Sequence, residues 1–163
     1  MEKPFKFISK KTALVKAQNL CANQEKCEFD IRKKLKDWKA KPEDFDEIIE
    51  LLKKEQFIDE QRYAISYAKE KYIFNKWGKI KIEFTLKQKN IPYNFIQKAF
   101  QEIDENKYEK ILENELIKKF KSLKDTDEYT IKSKLVRYGL SKGFENGKVF
   151  DIVSTILKNN KKN

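Results

Sequence analysis

Residues 31–57 read IRKKLKDWKAKPEDFDEIIELLKKEQF, and the spacing of their apolar positions decides the fold. Ile31 and Leu35 are one helical turn apart and share one face of a helix. A polar break, AKPED (40–44), follows. Pro42 sits where the next helix begins, because a proline at the first helical position gives up no intrahelical hydrogen bond. That helix shows Ile49 and Leu52, three residues apart, on its apolar face. Phe57 then precedes Asp59, whose carboxylate is placed to cap a further helix, EQRYAISYAKEKYIF (60–74).

The same spacing recurs twice. Leu35, Leu86 and Leu135 serve as origins, 51 and 49 residues apart. Four residues before them stand Ile31, Ile82 and Ile131. Fourteen residues after them stand Ile49, Phe100 and Val149, seventeen after them Leu52, Ile103 and Ile152, and twenty-two after them Phe57, Tyr108 and Leu157. No gap is needed. The breaks in the second and third copies are KNIPYN and YGLSKG, where Pro92 and an N-cap hydroxyl from Ser141 mark the next helix start. Asp104 repeats the capping role of Asp59, before ENKYEKILENELIKKF (105–120). A leading helix, TALVKAQNLCA, precedes the first copy with Thr12 as its cap. The expected fold is therefore all-α. It is an elongated array of three tandem three-helix repeats, the last truncated near Asn163, behind an N-terminal leading helix. The expected divisions are 1–24 for the arm and leading helix, then 25–76, 77–124 and 125–163. Each unit of ~50 residues is near the lower limit for independent folding, so neighbours should support one another.

Composition agrees with helices and narrows the function. Four glycines and three prolines are too few for a turn-rich sheet protein. There is no histidine, which excludes Ser–His and Cys–His catalysis and every histidine-bearing metal site. Gly78, Gly139, Gly143 and Gly147 form no phosphate-binding loop. Cys21 and Cys27 are six apart, a poor spacing for facing side chains on a helix. A disulfide or half a metal site is one reading, and two semi-buried thiols in a reducing cytosol are the other. No apolar run is long enough to span a membrane, and MEKPFKFISKK lacks the apolar middle of a secretory signal, so a cytoplasmic location is expected.

The net charge of +11 is unevenly distributed. Residues 1–41 carry twelve basic and five acidic side chains, 61–92 carry eight and two, and 133–163 carry seven and two; 42–60 is acidic, with two against eight. Basic surfaces on particular elements attract polyanions, although a lysine-rich coat also simply keeps a helical protein dissolved. The segment WGKIKIEFTLKQK (77–89) is a candidate binding helix. Ile82 and Leu86 face inward with Phe84 and Ile91 nearby, leaving Lys79, Lys81, Lys87 and Lys89 outside. Arg32, Lys33 and Lys36 in the first copy, and Lys134, Arg137 and Lys142 in the third, are the corresponding sites. In FIDEQRYA (57–64), Arg62 and Tyr63 are candidates for touching a partner. Alternatively Asp59 caps the helix, Arg62 pairs with an acidic neighbour, and Tyr63 packs inward.

At this level of detail the chain resembles the RecX family, bacterial regulators of the RecA recombinase. The carriers are EKCEFDIRKKLKDW (25–38), EQFIDEQRYAISYAKEK (55–71), WGKIKIEFTLKQKNI (77–91) and LVRYGLSKGF (135–144). They occur in order within a resemblance that runs from about Leu20 to Leu157. Cys27 departs from it, standing where many relatives have a capping Ser. The resemblance implies tandem three-helix repeats and binding rather than chemistry. It implies a monomer, without cofactor, that lodges in the groove of the RecA–DNA filament, bridges protomers, blocks strand exchange and ATP hydrolysis, and favours disassembly. Direct contact with DNA phosphates would be weak. Two other classes compete: a stand-alone basic helical nucleic-acid-binding protein, and an enzyme using carboxylates such as Asp59 and Glu60.

The repeat register makes Leu86 a core residue. Leu86→Ala is expected to cost about 2–5 kcal/mol in urea unfolding, and a much smaller loss would contradict the register.

Overall fold

Three helices start on aspartates whose carboxylates accept a backbone N–H from the third residue on, satisfying a donor that the helix leaves open. Asp59 accepts from Arg62 at 2.9 Å, Asp104 from Lys107 at 3.1 Å and Asp127 from Thr130 at 2.9 Å. They open α4 (Glu60–Ile73), α7 (Glu105–Ser122) and α8 (Glu128–Ser141) in a computed structural model that describes residues 1–163. α1 (Lys10–Asn23) starts on Ser9, whose hydroxyl accepts from the Thr12 N–H. Thr12, expected to be the cap, is the third residue of the helix instead. α2 (Glu28–Asp37) follows Cys27, whose N–H reaches the Asp30 carboxylate at 3.5 Å. A 3-10 turn at Pro42–Asp44 leads into α3 (Phe45–Lys54), and Pro92 immediately precedes α6 (Tyr93–Gln101). α5 (Lys79–Gln88) and α9 (Asn146–Lys162) complete the set. The fold is all-α, a series of helical repeats.

Counted from α2, as the sequence repeat counts them, the helices are a leading helix, two full units and a truncated third. Packing groups the same nine helices as three complete threes. α1, α2 and α3 enclose their own core of Ala13, Ala17, Ile31, Leu35, Ile48, Ile49 and Leu52. α4, α5 and α6 pack together, as do α7, α8 and α9, and α4 meets α7, so these six share a second, continuous core. Unit boundaries thus fall near residues 55–59 and 102–104 rather than at 24/25, 76/77 and 124/125. A periodic pattern has a period but no origin; only the contacts supply one.

The third unit also departs from the ungapped register. Each middle helix ends in the same motif, a residue with positive φ followed by an N–H that reaches back five residues. The positive-φ residues are Lys39 (62°), Asn90 (59°) and Gly143 (90°). The returning bonds are Ala40 to Leu35, Ile91 to Leu86 and Phe144 to Gly139. Gly139, not Leu135, is therefore the counterpart of Leu35 and Leu86, and α8 carries one extra turn at its start. A four-residue shift keeps the same helix face, so apolar periodicity could not reveal it. Gly139 suits the position because a Cβ there would lie 2.8 Å from the Val149 side chain. Two further expectations change. Ser141 ends α8, with its hydroxyl donating to the Tyr138 carbonyl, and Glu145 precedes α9. Phe84, placed near the core from sequence, is 61% exposed, whereas Ile82 and Leu86 are fully buried.

The second and third units meet backbone to backbone. The N–H groups of Gly78 and Ile80, at the open start of α5, donate to the carbonyls of Lys142 and Gly143 at the end of α8, at 2.8 and 3.0 Å. The Lys79 N–H donates to the Tyr108 hydroxyl at 2.8 Å. Orphan donors of one helix and orphan acceptors of another satisfy each other. The resulting body is extended: its accessible surface is 10798 Å², against roughly 8,600 Å² for a compact monomer of this mass.

A Cβ on Gly78 would lie 2.2 Å from the Gly143 carbonyl carbon, whereas one on Gly147 meets nothing within 4 Å. Gly78→Ala is therefore expected to cost about 2–4 kcal/mol in urea unfolding by forcing the joint apart. Gly147→Ala, on a helix, should be neutral or stabilising by up to about 1 kcal/mol.

Candidate partner-binding surface

Most of the cations expected to face a partner are bound within the chain. Lys89, just beyond α5, donates to Asp30 at 2.8 Å and to the Tyr63 hydroxyl at 2.9 Å, tying α5 and α4 to the first turn of α2. Arg62 donates to Glu25 at 2.5 Å and to the Gln56 carbonyl at 3.0 Å, so it too clamps α4 to the first unit. Lys79 is paired with Glu105 and lies over the Tyr108 ring, with its side chain only 19% exposed. Arg32 is held by Glu28 and Asp46, Lys87 by Glu83, and Lys134 by Asp125. The Lys142 ammonium donates to the Asn75 carbonyl at 3.1 Å. Tyr63 is buried and turns its hydroxyl inward. Tyr63, Lys79 and Lys89 are therefore corrected from partner contacts to parts of the joints between units.

Four of the twelve have neither a hydrogen-bond nor an ion-pair partner for the side chain: Lys33 and Lys36 on α2, Lys81 on α5 with its ammonium 4.4 Å from the Trp77 ring centre, and Arg137 on α8. The matched helix ends place Lys33, Phe84 and Arg137 at one repeat position, all exposed. Lys36, Lys87 and Leu140 occupy the next turn, also exposed. No repeat position on the middle helices is basic in all three units, so an expected basic stripe is replaced by a mixed apolar and basic one. Its apolar members, Phe29, Ile80, Phe84 and Leu140, are 41%, 51%, 61% and 37% exposed. Sequence held the clue for Phe84. At ~100° per residue it lies about 200° round the helix from both Ile82 and Leu86, away from the buried seam.

The remaining reactive groups are muted. Burial pushes the thiols of Cys21 and Cys27 up to about 11 and 12, so both are protonated near neutrality and poor nucleophiles. Both are free thiols. Asp59 is spent on its cap. Glu60 is raised above the ordinary carboxylate value by burial and by neighbouring Glu28. No helix is long and apolar enough to cross a membrane.

These features describe a class: an extended all-α repeat protein with cross-braced units and a mixed face turned to solvent. Comparison with known proteins gives the family. A family model described as the second three-helix domain of RecX matches residues 59–99, the unit that packing assigns to α4, α5 and α6. The regulatory protein RecX of Clostridium acetobutylicum is 32% identical over 139 residues, covering 83% of this chain and 64% of that protein. The RecX of Clostridium botulinum (strain Eklund 17B) is 30% identical over 163 residues, covering 94% and 72%. A crystal structure of regulatory protein RecX superposes with a TM-score of 0.80 at 22% identity, over 95% of this chain and 83% of the other. RecX from Lactobacillus salivarius gives 0.73 at 21%, over 92% and 95%. The chain belongs to the RecX family. It spans 64% and 61% of the length of the relatives from C. acetobutylicum and Clostridium beijerinckii.

Asp30 carries a pH prediction. Burial pushes its carboxyl up, but the hydrogen bond and charge of Lys89 outweigh that and hold it below the ordinary value. A lowered folded-state pKa gives stability that is present above the unfolded value near ~4 and lost as pH falls through the folded one. Asp30→Asn is expected to cost about 1–3 kcal/mol near neutrality by leaving Lys89 without its charge partner. The gap to the parent protein should close in urea melts below about pH 4; a gap independent of pH would contradict the assignment.

Proposed function

We propose that the protein regulates the RecA recombinase by binding the RecA–DNA filament, acting without a cofactor and without chemistry of its own. In this reading it inhibits strand exchange and ATP hydrolysis and favours filament disassembly, modulating recombination and DNA repair in the cytoplasm. It acts as a monomer. The observation that carries the reading is an extended body, from a family of regulators, that turns one mixed face outward three times. A filament repeats its own surface along its axis, so it offers successive sites to successive units. The bracing contacts support it further, because a body fixed before binding loses less entropy on docking. Lys33, Lys36, Lys81 and Arg137 are the side chains proposed to meet acidic filament surface or nearby phosphates.

A second reading, a stand-alone nucleic-acid-binding protein, is favoured by the net charge of +11. The two separate in a titration of the protein onto RecA–ssDNA filaments and onto bare ssDNA at two salt concentrations. Tighter binding to filament, with RecA ATPase inhibited at substoichiometric protein, is the expected result. Equal and steeply salt-dependent affinity for bare DNA, with ATPase unaffected, would favour the second.

Charge reversal to Glu at Lys33, Lys36, Lys81 and Arg137 together is expected to raise the half-inhibitory concentration by about tenfold or more, with helical circular dichroism unchanged. Reversal of Lys110 and Lys118, surface cations of α7 paired with Glu113 and Glu115, should leave inhibition as it was.

A further inference from the structure

α8 has two apolar seams. The inner one, Ile131, Leu135 and Gly139, is buried against α7 and α9. The outer one runs through Tyr129, Val136 and Leu140 along a shallow groove whose other wall is Phe150 of α9. Tyr129 is 79% exposed and Phe150 45%. A helix that is apolar on a second, solvent-facing side calls for something to cover it.

Two observations specify the cover. The first is charge. Lys132 and Arg137 flank the seam, both are exposed, and the groove wall contains no carboxylate. The clefts beside α2 differ, since Glu25, Asp30, Asp37 and Glu70 line one and Glu28 and Glu60 the other. The chain has three arginines among 37 basic side chains. Arg32 and Arg62 are each held by carboxylates within the fold. Arg137 has none, on the residue type best suited to an interfacial ion pair. The second observation is length. The extra turn at the start of α8, absent from α2 and α5, carries Tyr129 and lengthens the groove by about 6 Å. The corresponding faces of the other units are shorter and carry carboxylates of their own, Glu28 holding Arg32 and Glu83 holding Lys87.

We propose that this groove is a docking site for an acidic amphipathic helix of a protein partner. Its apolar residues, spaced three and four apart, would seat between Tyr129, Val136, Leu140 and Phe150, and flanking Asp or Glu would pair with Lys132 and Arg137. Four apolar side chains with only two cations fit such a helix better than a nucleic-acid strand, which needs a row of cations along its phosphates. The groove shares Arg137 and Leu140 with the face proposed to meet the filament, but its test uses no RecA, so the two readings fail separately.

The test is an NMR titration of the isotopically labelled full chain with a synthetic amidated peptide of ~15 residues, bearing leucines at helical spacing flanked by Glu. Controls are the same peptide with Lys replacing Glu, and an oligothymidylate of similar length. The acidic peptide should shift resonances of Tyr129, Val136, Leu140 and Phe150, and the Lys peptide should not. The double variant Lys132→Glu/Arg137→Glu, altered only at exposed positions, should weaken binding by about tenfold or more, and Tyr129→Ala should weaken it as well. The proposal is overturned by no shift up to roughly 1 mM peptide, by equal binding to the double variant, by the oligonucleotide occupying these resonances instead, or by self-association that already covers them.

Discussion

The structure depends on how the end of one middle helix meets the beginning of the previous one. At the joint between the second and third units, the last carbonyls of α8 receive the first N–H groups of α5, and Gly78 and Gly143 let the two backbones touch. At the joint between the first and second units, Lys89 beyond α5 reaches Asp30 in the first turn of α2. Tyr63 and Tyr108 stand at the same place in α4 and α7, four residues after their capping aspartates. Each brings its hydroxyl to a joint, one to the Lys89 ammonium and the other to the Lys79 N–H and Glu145. Desolvation raises the pKa of both phenols, so they remain neutral hydrogen-bonding groups there. One device, built once from side chains and once from backbone, makes three small bundles into a single extended body.

That device explains which cations are left for a partner. Joints between thin bundles are half-buried, where a cation with a carboxylate and a hydroxyl partner contributes more than an exposed pair. Lys79, Lys89 and Arg62 are drawn into such places, and the exposed Lys33, Lys36 and Arg137 are not; Lys81, half-buried, sets its backbone beside Gly143 and its ammonium over Trp77. The mixed face therefore follows from the bracing, because what the joints do not use remains in solvent beside Phe29, Ile80, Phe84 and Leu140.

Helix identity, the period of the repeat and the family were legible in the sequence, since Ile-x-x-x-Leu steps and capping aspartates are local signals. Phase was not legible, because a repeat can be counted from any of its helices and only packing closes a unit. The extra turn of α8 was hidden for a related reason: four residues return a helix to nearly the same face, so Leu135 could stand for Gly139 without disturbing the pattern. Of the twelve candidate site residues, sequence could name their charge but not their neighbours. Lys89 and Asp30 are 59 residues apart, and no local pattern announces that they meet.

The central functional claim is that the outward faces of the middle helices meet the RecA–DNA filament while the joints stay closed. Lysine acetylation footprinting, read by mass spectrometry on the protein alone, with bare ssDNA and with RecA–ssDNA filament, tests it most directly. The account predicts that the filament protects Lys33, Lys36 and Lys81 beyond any effect of bare DNA, while Lys89 stays unreactive throughout and Lys110 is unchanged. Protection of these lysines by bare DNA to the same degree, or new reactivity at Lys89 on the filament, would contradict it.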